Sequence, residues 1–69
     1  MSINVLEDGA IKSCDENNVT TTFRLRDECK ISTQLGRRYD GKVTKVKETS
    51  LVINGRVLLF SDIKTLELA

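Results

Sequence analysis

The chain has 69 residues, with 11 Lys and Arg against 10 Asp and Glu for a net charge of +1, two cysteines, and neither histidine nor proline. A chain this short forms one thin-cored domain, and two cysteines without a histidine exclude a disulfide framework and the common zinc sites. No apolar run approaches the ~20 residues needed to cross a bilayer, so the expectation is a cytoplasmic protein with Cys14 and Cys29 reduced.

The charges are segregated. Residues 1–18 carry Glu7, Asp8, Asp15 and Glu16 against Lys12, whereas the middle of the chain carries Arg24, Arg26, Lys30, Arg37, Arg38, Lys42, Lys45, Lys47 and Arg56 against four carboxylates. An acidic start and a basic middle can mark a face for anions, or simply the solvated faces of strands.

In chain order, Ile3 and Val5 alternate, and turn signals follow at Asp8-Gly9 and Asp15-Glu16-Asn17-Asn18. Residues 1–18 therefore read as an N-terminal hairpin or as a partly ordered extension. The remaining residues, 19–69, read as a small β-barrel domain. Val19 to Arg26 alternates, with Val19, Thr21, Phe23 and Leu25 on one face. Cys29, Ile31, Thr33 and Leu35 also share one side of a two-residue period. A helix from Asp27 to Leu35, capped by Asp27 and stopped by Gly36, competes with that strand, but the two-residue period is the better kept. Tyr39 to Lys47 reads as the next strand, with Gly41 marking a bulge or bend. If Val46 pairs with Leu51, Thr44 and Val46 join the Leu51 face and Val43 joins the Val52 face.

The strongest local signal is Asn54-Gly55 between Leu51-Val52-Ile53 and Arg56-Val57-Leu58-Leu59. A type I′ turn needs φ > 0 at both central residues, which Asn-Gly supplies. Ile53 then faces Arg56, and Val52 faces Val57. Leu51, Ile53, Leu58 and Phe60 fall on one face of this hairpin, and Val52, Val57 and Leu59 on the other, so both faces want cover. Ser61 to Lys64 reads as one 3₁₀ turn and Thr65 to Leu68 as a last strand. The expected core is Phe23, Ile31, Val43, Val46, Leu51, Ile53, Leu58, Phe60, Ile63 and Leu66. Short strands separated by regular turn signals indicate an all-β fold, a small antiparallel barrel whose closure would remove exposed edges.

Residues 29–68 resemble the small SH3-like and Sm-like barrels. The resemblance is carried by Ile31 to Val46 followed by Leu51-Val52-Ile53: a strand, a glycine turn at Gly36, Tyr39, a second glycine at Gly41, a long bent strand and an apolar strand. Phe60-Ser61-Asp62-Ile63 is similar to the 3₁₀ turn that precedes the last strand of SH3-like barrels. The acidic residue of the Sm family would fall near Lys47 and its base-contacting asparagine near Ser50. Its arginine-glycine pair has no counterpart here. The resemblance thus implies a fold and leaves the family's RNA-binding residues unmatched.

For function, no histidine, paired nucleophile and base, or phosphate-binding glycine loop is present, so no catalytic, cofactor-binding or metal-ligating residue is assigned. The expectation is a non-catalytic module that binds a protein or self-assembles as a homo-oligomer, because a small core covers only one face of the apolar hairpin. In style the chain resembles accessory proteins of phages and mobile elements that bind or inhibit host proteins. The alternative is an RNA- or single-stranded-DNA-binding Sm-like protein. The candidate partner or nucleic-acid contacts are Arg24, Arg26, Arg37, Arg38, Tyr39, Lys42, Lys45 and Lys47, since phosphate tracking needs basic side chains on a continuous face.

Overall fold

The computed structural model describes residues 1–69 as an all-β chain of eight strands. They are β1 (Ser2–Val5), β2 (Ile11–Cys14), β3 (Thr20–Phe23), β4 (Glu28–Thr33), β5 (Arg38–Val46), β6 (Ser50–Ile53), β7 (Arg56–Leu59) and β8 (Ile63–Leu68), with a 3₁₀ turn at Phe60–Asp62. Two antiparallel sheets form, one in the order β1-β2-β3 and the other in the order β7-β6-β5-β4-β8. No helix is long and apolar enough to cross a membrane.

Three of the hairpins share one turn. The Leu6 N–H donates to the Ala10 carbonyl at 2.7 Å and the Gly9 N–H to the Leu6 carbonyl at 3.0 Å. The same pair of bonds recurs at Asp15–Val19 and at Thr33–Arg37. In each the fourth residue is left-handed: Gly9 at φ 87°, Asn18 at 62° and Gly36 at 82°. This is the three-residue hairpin loop, a type I turn closed by a left-handed residue that glycine or asparagine adopts at least cost. Asp15 reinforces its own turn, its Oδ1 accepting the N–H groups of Asn17 and Val19 at 2.9 and 3.0 Å. Residues 2–14 form the β1–β2 hairpin, and β3 extends it into a sheet. The strand expected at 19–26 is shorter, spans Thr20–Phe23 and pairs with β2 rather than with the strands that follow. Val19 belongs to the preceding turn and Leu25 to the next, which leaves both exposed.

The Cys29–Leu35 segment is the strand β4, and the competing helix does not form. Its register with β5 runs from Glu28 opposite Lys42 to Ser32 opposite Arg38 without interruption at Gly41. The bulge expected at Gly41 lies instead between Val43 and Lys45. The extra residue there, Thr44, reverses the parity, so Val43 turns onto the core face opposite Ile53 and not onto the Val52 face. Gly41 serves another purpose. A Cβ at this position would overlap the carboxamide of Asn54, which donates from Nδ2 to the Asp40 carbonyl at 2.6 Å.

Both sheets feed one core. Ile11 and Phe23 from the first sheet pack with Cys29, Ile31, Val43, Leu51, Ile53, Leu58, Ile63 and Leu66 from the second. The Thr21 Oγ1–H donates to the Leu66 carbonyl at 3.2 Å, tying β3 to β8. Val46 and Phe60, expected in the core, are half-buried at its margin. Leu35 is 90% exposed, because it sits at the tip of the β4–β5 turn where no strand continues the alternation.

Candidate functional site

The β6–β7 hairpin forms as its sequence requires. Asn54 and Gly55 take φ values of 50° and 75°, and Ile53 pairs with Arg56, Val52 with Val57 and Leu51 with Leu58. Leu51, Ile53 and Leu58 are buried on the inner face. On the outer face Val52 is half-buried, and Val57 and Leu59 are 59% and 49% exposed. The N-terminal sheet adds Ile11 to the core but leaves this outer strip open. β7 is also the terminal strand of its sheet, so exposed apolar side chains and an unpaired strand edge coincide there.

The candidate basic residues are spread over several elements. Arg24 is engaged with the first turn, donating from NH1 to the Asp8 carbonyl at 3.0 Å and from NH2 to Asp8 Oδ2 at 3.1 Å. The Ala10 N–H, donated to Asp8 Oδ1, together with the Arg24 guanidinium holds the Asp8 carboxyl below the ordinary carboxylate range. Arg26 sits in the β3–β4 turn at φ 75°, its N–H donated to the Val43 carbonyl at 2.7 Å. On the outer face of β4 and β5, Lys42 stands opposite Glu28, and Lys30 stands between Asp40 on β5 and Glu67 on β8. Directly opposed unlike charges attract and cancel one another at a distance. Arg38 stands opposite Ser32, while Lys45 lies beyond the bulge opposite Val52. Lys47 occupies the β5–β6 turn, where its N–H bonds the Ser50 carbonyl at 2.8 Å. The long β5 thus divides its charges between two strand pairs.

Tyr39 and Arg37 meet elsewhere. They line a half-open cleft of about 200 Å³ with Thr33, Gln34, Leu35, Leu58 and Asp62. The Arg56 guanidinium lies 5.8 Å from the Tyr39 ring centre, within cation–π range. Two of the cleft's backbone N–H groups are already engaged: Gln34 N–H bonds the Asp62 carbonyl at 2.8 Å, and Arg37 N–H bonds Thr33 Oγ1 at 3.1 Å. No group of three or more side chains could hold a metal ion.

Arg56, which carries the contact to Tyr39, and Ile11 and Cys29 in the core are not among the residues the sequence singles out. The pairing of Ile53 with Arg56 across the turn was the available signal for Arg56, since it puts that guanidinium on the same face as Leu58. Cys29 is fully buried, and burial followed by the nearby Asp27 charge pushes its thiol up to about 11 from 9.0. Such a thiol is protonated and unreactive at neutral pH.

Comparison of the chain with protein-family models, with curated proteins and with solved structures finds no match.

Proposed function

We propose that this chain is a non-catalytic small-barrel module that self-assembles and binds protein through the β6–β7 hairpin. The observation that carries the reading is the open strip of Val52, Val57 and Leu59 on the terminal hairpin of the five-stranded sheet. Apolar groups concentrated on an unpaired edge are a hazard that proteins usually suppress with lysine, proline or a bulge. β7 has neither proline nor a bulge, and its one charge, Arg56, lies at the turn end on the inner face by Tyr39, leaving Val57 and Leu59 without a charged neighbour on the outer face. An SH3-like or Sm-like barrel is supported by the strand order. Four strands, β4 to β7, run as a meander, and after the 3₁₀ turn β8 returns to pair with the first of them.

Binding of RNA or single-stranded DNA takes second place. The cross-strand carboxylates interrupt the basic segment, and Tyr39, the one aromatic candidate, is half-buried with the Arg56 guanidinium 5.8 Å from its ring centre. Sedimentation from low micromolar to sub-millimolar concentration tests the leading reading. The wild-type chain is expected to run above 7.7 kDa, and Val57→Lys, at an exposed site, is expected to return it to a folded monomer. A wild-type chain that stays monomeric throughout would refute self-assembly.

A further inference from the structure

Which copy-to-copy contact the hairpin makes follows from the parity of its hydrogen bonds. A two-residue turn is closed by a hydrogen-bonded pair, here Ile53 with Arg56, and the pattern then alternates. Leu51 and Leu58 are the next bonded pair. The N–H and C=O groups of Val57 and Leu59 consequently point away from β6, toward the open edge. The same two residues carry the exposed apolar side chains.

The other edges are less suited. β8 is approached by β3, whose Thr21 hydroxyl occupies the Leu66 carbonyl. β1 is a terminal strand too, but Ile3 packs against the core, which leaves Val5 as its one strongly exposed apolar residue. Only β7 joins two outward-pointing backbone positions to two exposed apolar side chains.

We infer that two copies of this chain pair antiparallel through β7, about a two-fold axis at Leu58; this rests on the self-assembly reading above. The register is self-consistent. With Leu58 facing its own copy, Val57 of each chain exchanges both backbone hydrogen bonds with Leu59 of the other, giving four in all. On the outer face this makes two valine–leucine cross-strand pairs. On the inner face Leu58 meets Leu58, and each Arg56 comes opposite the Phe60–Asp62 turn of the second copy, where a carboxylate follows an aromatic ring. The contact is isologous, so it closes at two copies and leaves no further edge of this kind. A four-residue strand gives an interface at the low end of the size range, below about 1,200 Å², for which a weak, micromolar dimer is expected.

The test uses full-length chains with Cys14→Ser. Val57→Cys and Leu59→Cys proteins are oxidised separately and as an equimolar mixture. In the paired edge the two positions sit at hydrogen-bonded spacing, about 5.5 Å between Cα atoms, within disulfide range. Identical positions are diagonal neighbours at about 7–8 Å. The mixture should therefore give a mixed disulfide dimer several-fold faster than either protein alone. Leu59→Pro is the second arm. Leu59 has φ −72°, which proline accepts, and its outward N–H makes no bond to β6, so the variant should stay folded and become monomeric. Dimers that lack the preferred mixed disulfide, assemblies larger than two, or a Leu59→Pro chain that stays dimeric would overturn the β7 pairing while leaving self-assembly in place. A wild-type chain monomeric at sub-millimolar concentration overturns both.

Discussion

The clamp between Gly41 and Asn54 predicts a change of sign. Gly41 lies outside the left-handed region, so an alanine there meets no backbone strain of its own. Its Cβ would instead fall on the Asn54 carboxamide, forcing that group off the Asp40 carbonyl. Loss of the hydrogen bond costs about 1 kcal/mol, and displacing the side chain adds a similar amount. Alanine recovers roughly 0.4–1 kcal/mol by restricting the unfolded chain. Gly41→Ala should therefore destabilise by about 1 kcal/mol in the wild-type background. In Asn54→Gly the carboxamide is gone, and glycine still accepts φ 50°. There Gly41→Ala should stabilise by about 0.5 kcal/mol. Urea denaturation of the four proteins gives the cycle, with a coupling energy of about 1.5 kcal/mol expected. Additivity within about 0.3 kcal/mol would show that the hairpin tip is not docked on β5, and the account of Gly41 would fail.

Four further outcomes follow from the same geometry. Phe23 is the largest fully buried side chain and joins the two sheets, so Phe23→Ala should cost about 3–5 kcal/mol and leave much of the chain unfolded by circular dichroism. Asn18→Gly and Arg26→Gly replace residues at positive φ and should each leave stability unchanged or raise it by up to about 1 kcal/mol in thermal melts, whereas valine at either site should lower it. Cys29 keeps its proton when folded to about pH 11, but loses it near 9 when unfolded. The unfolded chain then binds fewer protons, and stability should fall by roughly 2 kcal/mol between those values, a fall that Cys29→Ala removes. Asp8 has the opposite sense: its depressed pKa favours the fold at neutral pH, and that contribution fades as pH drops through the folded value, as an acid titration of wild type against Asp8→Asn would register.

What was legible in the sequence is what local chemistry decides. Asn54-Gly55 admits one turn, and its register followed residue by residue. The period of Cys29 to Thr33 outweighed the capping signals at Asp27 and Gly36, because a buried strand against two neighbours outbids a short helix. What escaped reading depended on partners distant in sequence. Nothing in Thr20–Phe23 says that it pairs backward with Ile11–Cys14 and not forward. Gly41 carries the usual glycine signal for a bulge, yet it answers to Asn54, thirteen residues on. Thr44, an ordinary strand residue, carries the extra position instead, and with it the side on which Val43 falls. The sequence shows four carboxylates within the basic segment but not which lysines they face: Glu28 comes opposite Lys42, and Asp40 and Glu67 come to either side of Lys30.

That arrangement of charge bears on the choice between partners. An oligonucleotide rewards a chain for each phosphate it neutralises, so affinity should fall with salt at roughly 0.7 per contact on logarithmic axes. Here Arg24 is paired with Asp8, Lys42 faces Glu28, and Lys30 lies between Asp40 and Glu67. Arg26, Arg37, Arg38, Lys45 and Lys47 remain, but they are distributed over three turns and both halves of β5. A single strand could engage two or three at once. The expected result is weak binding with a slope no steeper than about −2, little changed by Arg37→Ala with Arg38→Ala, while the charge-neutral Leu59→Pro abolishes self-association without altering it. A slope near −4 that the arginine pair flattens by one unit or more would mean that the basic residues act together. The apolar edge would then be secondary to a phosphate-binding face.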